Sequence, residues 1–326
     1  MIKLLDLKKI NKPILNDFKK LFNENLDNTN FILSQYQKNF EKSFSNFLKV
    51  KYCATVGNGT DALEIAIESL NLKKNSEVIV PCNTFVATAE AVVRNNLKVI
   101  FVDINRYSLG IDLNELKKKI SSKTSAVIVV HLYGIPDNLS EIKRICKTNN
   151  LKLIEDCSQA HGSKYKNKIV GNFGDISTFS FFPGKILGGI GDGGACVTNN
   201  YKYYQRILRI RNHGRLKKFD HNIIGRNSRM DSFNSIFLNL KLKRLRSEIS
   251  IRNMQKKIYH KFLNNNKYIE KIFNDDLNLD YSICYFVIMV KKNRSKLVSH
   301  LNKYLIQYSI HYPQIIPEMK AFIENN

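Results

Sequence analysis

The chain has 326 residues, 43% of them apolar and 25% charged, which suits a globular protein with one large domain and a smaller one. Its longest apolar runs, such as residues 126–132, are far too short to span a bilayer, which argues against a membrane partner. The formal charge of +24 fits either a nucleic-acid binder or a surface coated with lysine; the lysines are spread along the chain rather than gathered beside aromatics, which favours the second reading.

The first residues, Met1 to Asp6, hold no extended apolar stretch and no cleavage site, so a cytoplasmic location is expected. The six cysteines are isolated and contain no C-x-x-C pair, so neither a metal site nor a disulfide framework is expected. Reduced, buried thiols fit that spacing.

In chain order, the first fifty residues end in an amphipathic lead-in helix over 40–50, and a glycine-bearing turn opens a helix over 61–70. Strands follow at 77–81, 98–102, 126–131, 152–155, 176–182 and 194–198, with helices at 87–95, 113–120 and 139–148 between them. This alternation predicts an α/β fold with a mostly parallel, doubly wound sheet and ligands at the carboxyl ends of its strands. A long helix over 232–264, a strand at 282–290, a helix at 295–304 and a strand at 306–311 predict a small α+β C-terminal domain. The expected division is 1–245 for the lead-in and large domain and 246–326 for the small one.

Four stretches carry chemistry. Gly57-Asn58-Gly59-Thr60 opens directly into a helix, where free amides and a hydroxyl suit a phosphate, although such a turn alone is more often a cap. An apolar strand ends at Glu155-Asp156; an acid there is ordinarily a cap or solvated, but in a ligand crevice it can keep a pyridine nitrogen protonated. Lys185 follows an aromatic strand and precedes the glycine-dense run 188–194, where a partly desolvated amine can form a Schiff base. Phe85, at a strand-to-helix junction, reads either as core or as a ring stacked on a cofactor.

These residues stand in the order found in fold-type I pyridoxal 5'-phosphate (PLP) enzymes. More narrowly, the chain resembles the DegT/DnrJ/EryC1/StrS family of PLP-dependent sugar-nucleotide aminotransferases. The resemblance rests on stretches 31–33, 57–63, 81–88, 131–134, 155–162, 174–176, 180–185, 191–198, 211–214, 227–231 and 310–313, which span nearly the whole chain.

The resemblance implies a role for each matching residue. Lys185 would hold the cofactor and shuttle the proton, Asp156 would pair with the pyridine nitrogen, Phe85 would cover the ring and Gln159 would face its oxygen. Gly59, Thr60 and Ser180 would bind the phosphate. Asn227 would reach the phosphate of a neighbouring subunit, which implies a homodimer with shared sites. Arg229, His311 and Tyr312 would line the sugar-nucleotide cleft.

The implied reaction moves an amino group from L-glutamate to a nucleotide-linked keto-sugar, with the aminated cofactor (pyridoxamine 5'-phosphate) in between. The motifs look most like those of enzymes acting at C3 of dTDP-3-keto-6-deoxyhexoses. Enzymes for UDP-linked 3-keto acetamido uronic acids, or for 4-keto sugars, share several of them. Family dehydratases lack the lysine, so Lys185 argues for transamination. Two departures stand out: Cys284 occupies a position where relatives usually carry histidine, and relatives generally continue beyond the His311-Tyr312-Pro313 motif. The small domain is therefore expected to be shortened with apolar surface exposed, which keeps a non-catalytic relative open as an alternative.

Overall fold

The computed structural model describes residues 1–273 and 281–323. Its central sheet has seven strands: β1 (Tyr52–Val56), β2 (Glu77–Pro81), β3 (Lys98–Val102), β4 (Thr124–Val130), β5 (Lys152–Asp156), β6 (Ile176–Ser180) and β7 (Gly194–Thr198). Their spatial order is β1-β7-β6-β5-β4-β2-β3. The pairs from β3 through β6 are parallel, and β7 alone runs antiparallel, to both β6 and β1. The mostly parallel α/β sheet expected from the alternation is present.

Both faces of the sheet are covered, and its strands are buried along most of their length, polar residues such as Thr55, Glu155 and Ser177 included. Successive residues point to opposite faces. Val78, Val80, Ala126 and Ile128 join Leu63, Ile65, Val92 and Ile207 on one side, while Ile79, Val127 and Val129 join Phe40, Phe44, Ile142 and Leu245 on the other. The first side is closed by helices Gly59–Leu70, Ala87–Arg94 and Tyr201–Ile210, and the second by Gln35–Leu48, Leu139–Thr148 and Ser232–Leu263. In Leu139–Thr148 the buried residues Leu139, Ile142, Ile145 and Cys146 fall on one helical face, as packing against a sheet demands.

Several boundaries differ from expectation for local reasons. The helix expected at 61–70 begins at Gly59, because the Asn58 side chain accepts from the Asp61 amide at 2.8 Å and caps it two residues earlier. Strand β6 ends at Ser180, although Phe181 still donates to Gly193 O at 2.7 Å. Of the strand expected at 282–290, only Ile288–Val290 forms a ladder, with Ile269–Ile272. Its earlier residues bond to loops beside the central sheet instead: Ser282 N donates to Ser163 Oγ at 2.8 Å and Cys284 N to Tyr133 O at 3.1 Å. The strand expected at 306–311 is reduced to one bridge, in which Ile306 meets Ile2 from the chain's start.

The long helix Ser232–Leu263 runs through positions 245 and 246, and Asp231 caps it by accepting from Asn234 N at 2.8 Å. Helix Leu15–Asp27 lies against it, with Phe18 edge-on to Phe237 at 5.2 Å and Phe22 beside Phe233 at 4.6 Å. Ile251, Met254, Ile258 and Phe262 form an exposed apolar stripe along its outer half. The last described residues fold back on the central sheet: Ile316 N donates to Cys82 O at 3.0 Å, and Phe322 meets Phe101 edge-on. All six cysteines are buried and unpaired. Among the described residues, no helix is long and apolar enough to cross a membrane.

Candidate active site

The sheet brings Gly59, Thr60, Asp156, Gln159, Ser180 and Lys185 to the carboxyl ends of β1, β5 and β6 and the segments that follow them, and Phe85 to the loop after β2. After β1, the turn at residues 57–60 is held to the protein from two sides. Ser228 Oγ accepts from Gly57 N at 2.9 Å and donates to Asp61 Oδ2, and the Asn58 side chain caps the helix. Gly59 lies directly against the end of β6: a Cβ there would sit 2.6 Å from Ser180 Cβ and 3.0 Å from Ser180 Oγ. Only glycine permits this approach, which sets the first amides of a helix beside a serine hydroxyl. The Gly59 turn and the Ser180 hydroxyl thus lie side by side, with Thr60 next in the same helix start.

Asp156, at the last position of β5, is 5% exposed, and both its carboxylate oxygens are engaged. Thr88 Oγ1 donates to Oδ2 at 3.1 Å and Ser158 N to Oδ1 at 3.0 Å. Three residues on, Gln159 accepts from Tyr133 N at 2.8 Å and donates to the Tyr312 hydroxyl at 3.1 Å. The Phe85 ring stands 6.3 Å from that of Tyr312 and is 56% exposed. Phe85 is therefore not a core residue.

Lys185 lies in the loop after β6, with its amide donating to Phe182 O at 2.8 Å. Among the described residues no carboxylate pairs with its ammonium. Its charge acts on three neighbours. Burial first, then Lys185, holds His161 down to about 3 and His311 below the ordinary histidine value. Burial raises the Cys284 thiol, and Lys185 opposes that rise. His311 stacks on Tyr285 at 4.4 Å, and its carbonyl accepts from the Tyr133 hydroxyl. Burial also raises Tyr312, and raises Tyr133 to about 12, so both phenols stay protonated near neutrality.

Asn227 and Arg229 lie on another part of the chain. Asn227 is exposed and bridges Asn212, while Arg229 Nη1 donates to Asn212 Oδ1 at 3.3 Å and its Nε is buried without a partner. Among the described residues neither bonds to Asp156, Gln159, Lys185 or Tyr312. Ser228, between them, bonds to the turn at residues 57–60.

The profile of the DegT/DnrJ/EryC1/StrS aminotransferase family matches residues 13–326. The chain belongs to this family. It is 37% identical over 326 residues to dTDP-3-amino-3,6-dideoxy-alpha-D-galactopyranose transaminase of Aneurinibacillus thermoaerophilus, with 99% of this chain and 88% of that protein covered. Among solved structures it is similar to Streptomyces venezuelae DesV in complex with a ketimine intermediate, at 29% identity and a TM-score of 0.95, covering 99% of this chain and 86% of that one. It is also similar to Bacillus subtilis NtdA with bound cofactor PMP, at 28% identity and a TM-score of 0.91, covering 98% and 74%. The fold is thus that of the DegT/DnrJ/EryC1/StrS aminotransferases, and the protein is an aminotransferase by family.

Sequence reasoning passed over several residues of this candidate site. Thr88, Tyr133 and Ser228 lie inside the matching stretches, yet nothing in their local spacing points to Asp156, Gln159 or Gly57, which are 68, 26 and 171 residues away. The other acid of the Glu155-Asp156 pair is structural. Glu155 is fully buried and accepts from the amides of Gly171, Phe173 and Gly174, from Ser177 Oγ and from His131. Burial opposes its ionisation, but His131 and the amides outweigh that and hold it below the usual carboxylate value. His131, Glu155 and Cys157 bring three ligand-type atoms within 4.8 Å. The carboxylate is already committed, and His131 Nδ1 accepts from Asp137 N at 3.1 Å.

Proposed function

We propose that this aminotransferase uses PLP to transfer an amino group from L-glutamate to a nucleotide-linked keto-sugar, at C3 of a dTDP-3-keto-6-deoxyhexose. The observation that carries the reading is a doubly anchored carboxylate, Asp156, at the end of β5, together with Lys185 in the loop after the neighbouring β6, an amine that has no carboxylate partner among the described residues. The donor set suits the cofactor group by group. Gly59, Thr60 and Ser180 offer amides and hydroxyls to a phosphate, Asp156 offers an acceptor to a pyridine N–H, and Lys185 offers a primary amine to an aldehyde.

When bound, PLP supplies the electron sink that stabilises negative charge on the carbon that loses its proton. The chain's own groups do the rest. Asp156 fixes the ring's orientation and accepts from its nitrogen, and Phe85 screens one ring face from water. Gln159, held by Tyr133 and Tyr312, presents its amide to the ring's oxygen side. Lys185 Nζ is the base placed to accept a proton and return it. His311 and Tyr312 border the crevice where a sugar would enter, and Arg229 provides a cation for the nucleotide.

The dTDP-linked sugar is favoured because the Aneurinibacillus relative, matched over nearly the whole chain, is named for a 3-amino-3,6-dideoxy product. A homodimer is part of the reading. Asn227 is exposed, and Phe31, Ile32, Phe182 and Ile190 are apolar and between 41% and 55% exposed, as a surface awaiting a second copy would be. We retain a division near 245/246 within the long helix, and we place the protein in the cytoplasm on the strength of its six free thiols.

The test is incubation with L-glutamate and a panel of dTDP-, UDP- and GDP-linked keto-sugars, followed by mass spectrometry. An amino-sugar product with matching 2-oxoglutarate, absent for Lys185→Ala, supports the reading. Amination of only a UDP-linked uronic acid or a 4-keto sugar would move the substrate assignment while leaving the reaction class intact.

A further inference from the structure

We propose that Thr88 is a positioning residue for Asp156, acting through a buried chain of hydroxyls that starts at Thr84. This rests on the cofactor reading above and names the group that aims its key carboxylate. Thr84 and Thr88 stand four residues apart where the chain enters helix Ala87–Arg94, and they are 1% and 0% exposed. Thr88 Oγ1 donates to Asp156 Oδ2 at 3.1 Å, and the two threonine hydroxyls lie 3.4 Å apart.

The direction of the chain follows from valence. A carboxylate only accepts, so Thr88 spends its single proton on Asp156 and is left to accept from Thr84. The order is therefore Thr84 to Thr88 to Asp156. With Ser158 N on Oδ1, each carboxylate oxygen has one fixed donor, and among the described residues no cation pairs with either oxygen. The terminal torsion of an aspartate is intrinsically broad, so these two donors set where its remaining lone pairs point. Thr88 comes from the helix after β2 and Ser158 from the loop after β5, so the carboxylate is braced by two separate elements.

The test is titration of purified apo-protein with PLP, following the visible band and its pH profile, for wild type, Thr88→Val, Thr88→Ser and Thr84→Val. Thr88→Val keeps the shape and removes the donor; it is expected to weaken PLP binding about tenfold, the size of one hydrogen bond to a charged group, and to displace the pH profile. Thr88→Ser restores the donor and is expected to stay within about twofold of wild type on both readouts. Thr84→Val removes only the outer link, for an expected loss of about two- to threefold.

Binding and pH profiles of Thr88→Val that match wild type would overturn the proposal. So would a Thr88→Ser protein as impaired as Thr88→Val, because shape rather than the hydroxyl would then be at work. If Thr88→Val does not fold, Thr84→Val decides: a weakened titration with Thr88→Ser intact supports the chain, and a wild-type titration overturns it. A wild type that binds no PLP defeats the cofactor reading itself and this proposal with it; wild-type binding with unaffected variants defeats only the positioning role.

Discussion

Gln159 Nε2 donates to the Tyr312 hydroxyl at 3.1 Å, joining the end of β5 to a segment 153 residues further along the chain. Tyr133 completes the circuit: its amide donates to Gln159 Oε1, and its hydroxyl donates to the carbonyl of His311, next to Tyr312. The segment that borders the proposed sugar crevice is thereby tied to the residue proposed to face the cofactor ring.

Tyr312→Phe removes that link while keeping the ring beside Phe85. A single hydrogen bond contributes about 0.5–1.5 kcal/mol, so the apparent KM for the keto-sugar should rise about two- to tenfold. Steady-state kinetics with the accepted keto-sugar checks this. An unchanged KM would mean that the Gln159–Tyr312 bond does not organise the crevice.

Gly59→Ala places a methyl 2.6 Å from Ser180 Cβ, so the turn or the end of β6 must move. PLP retention should fall by about tenfold or more, because the phosphate donors are displaced by a fraction of an ångström. Adding Ser180→Gly removes the Cβ and hydroxyl that the new methyl meets. Equilibrium dialysis should show the double variant closer to wild type than the sum of the two single losses, the signature of sites in contact.

Glu155→Gln tests the structural acid. Its carboxylate accepts five hydrogen bonds, three of them from the amides of Gly171, Phe173 and Gly174. A glutamine amide group turns two donors toward that ring of donors, and an uncompensated buried pairing of this kind costs about 3 kcal/mol or more. Urea unfolding should report the loss as a lower midpoint. A midpoint equal to wild type would show that the cage reorganises.

His161 gives a pH signature. It is fully buried against Phe179 and Phe181, and burial together with the charge of Lys185 holds it at about 3. In the unfolded chain a histidine takes up its proton near pH 6.5. Because the folded value is lowered, the unfolded state binds more protons below pH 6.5, and stability falls as pH falls. Between pH 6.5 and pH 5 this group should account for about 2 kcal/mol of lost stability. Thermal melts of wild type and His161→Phe, compared at both pH values, isolate the contribution: the variant should lose less on acidification.

The central sheet and its covering helices were legible because most of them announce themselves locally. β2, β3 and β7 begin and end where the apolar runs do, and Leu139–Thr148 follows its helical periodicity residue for residue. Among the elements that went unannounced are β1, whose five residues run straight into the glycine turn, and helices Leu15–Asp27 and Tyr201–Ile210, which lie in basic stretches with only a few buried residues. The residues after the long helix were read less well because their pairings are remote. Ile306 finds its partner in Ile2, and residues 282 and 284 bond to Ser163 and Tyr133, relationships that no local pattern encodes. The candidate site divides the same way. Lys185, Asp156 and Gly59 carry chemistry that local context suggests, whereas Thr88, Tyr133 and Ser228 act through contacts that only the fold creates.

The most direct test of the central claim is to reduce the PLP-loaded protein with borohydride and map the adduct by mass spectrometry, for wild type and Lys185→Ala. The account predicts a visible band in wild type that L-glutamate bleaches, and a reduced adduct on Lys185 alone, as Schiff-base chemistry at that amine requires. The band and the adduct should both be missing in Lys185→Ala. A wild type that traps no adduct, or traps it equally on other lysines in both proteins, would contradict the assignment of Lys185 and the aminotransferase mechanism built on it.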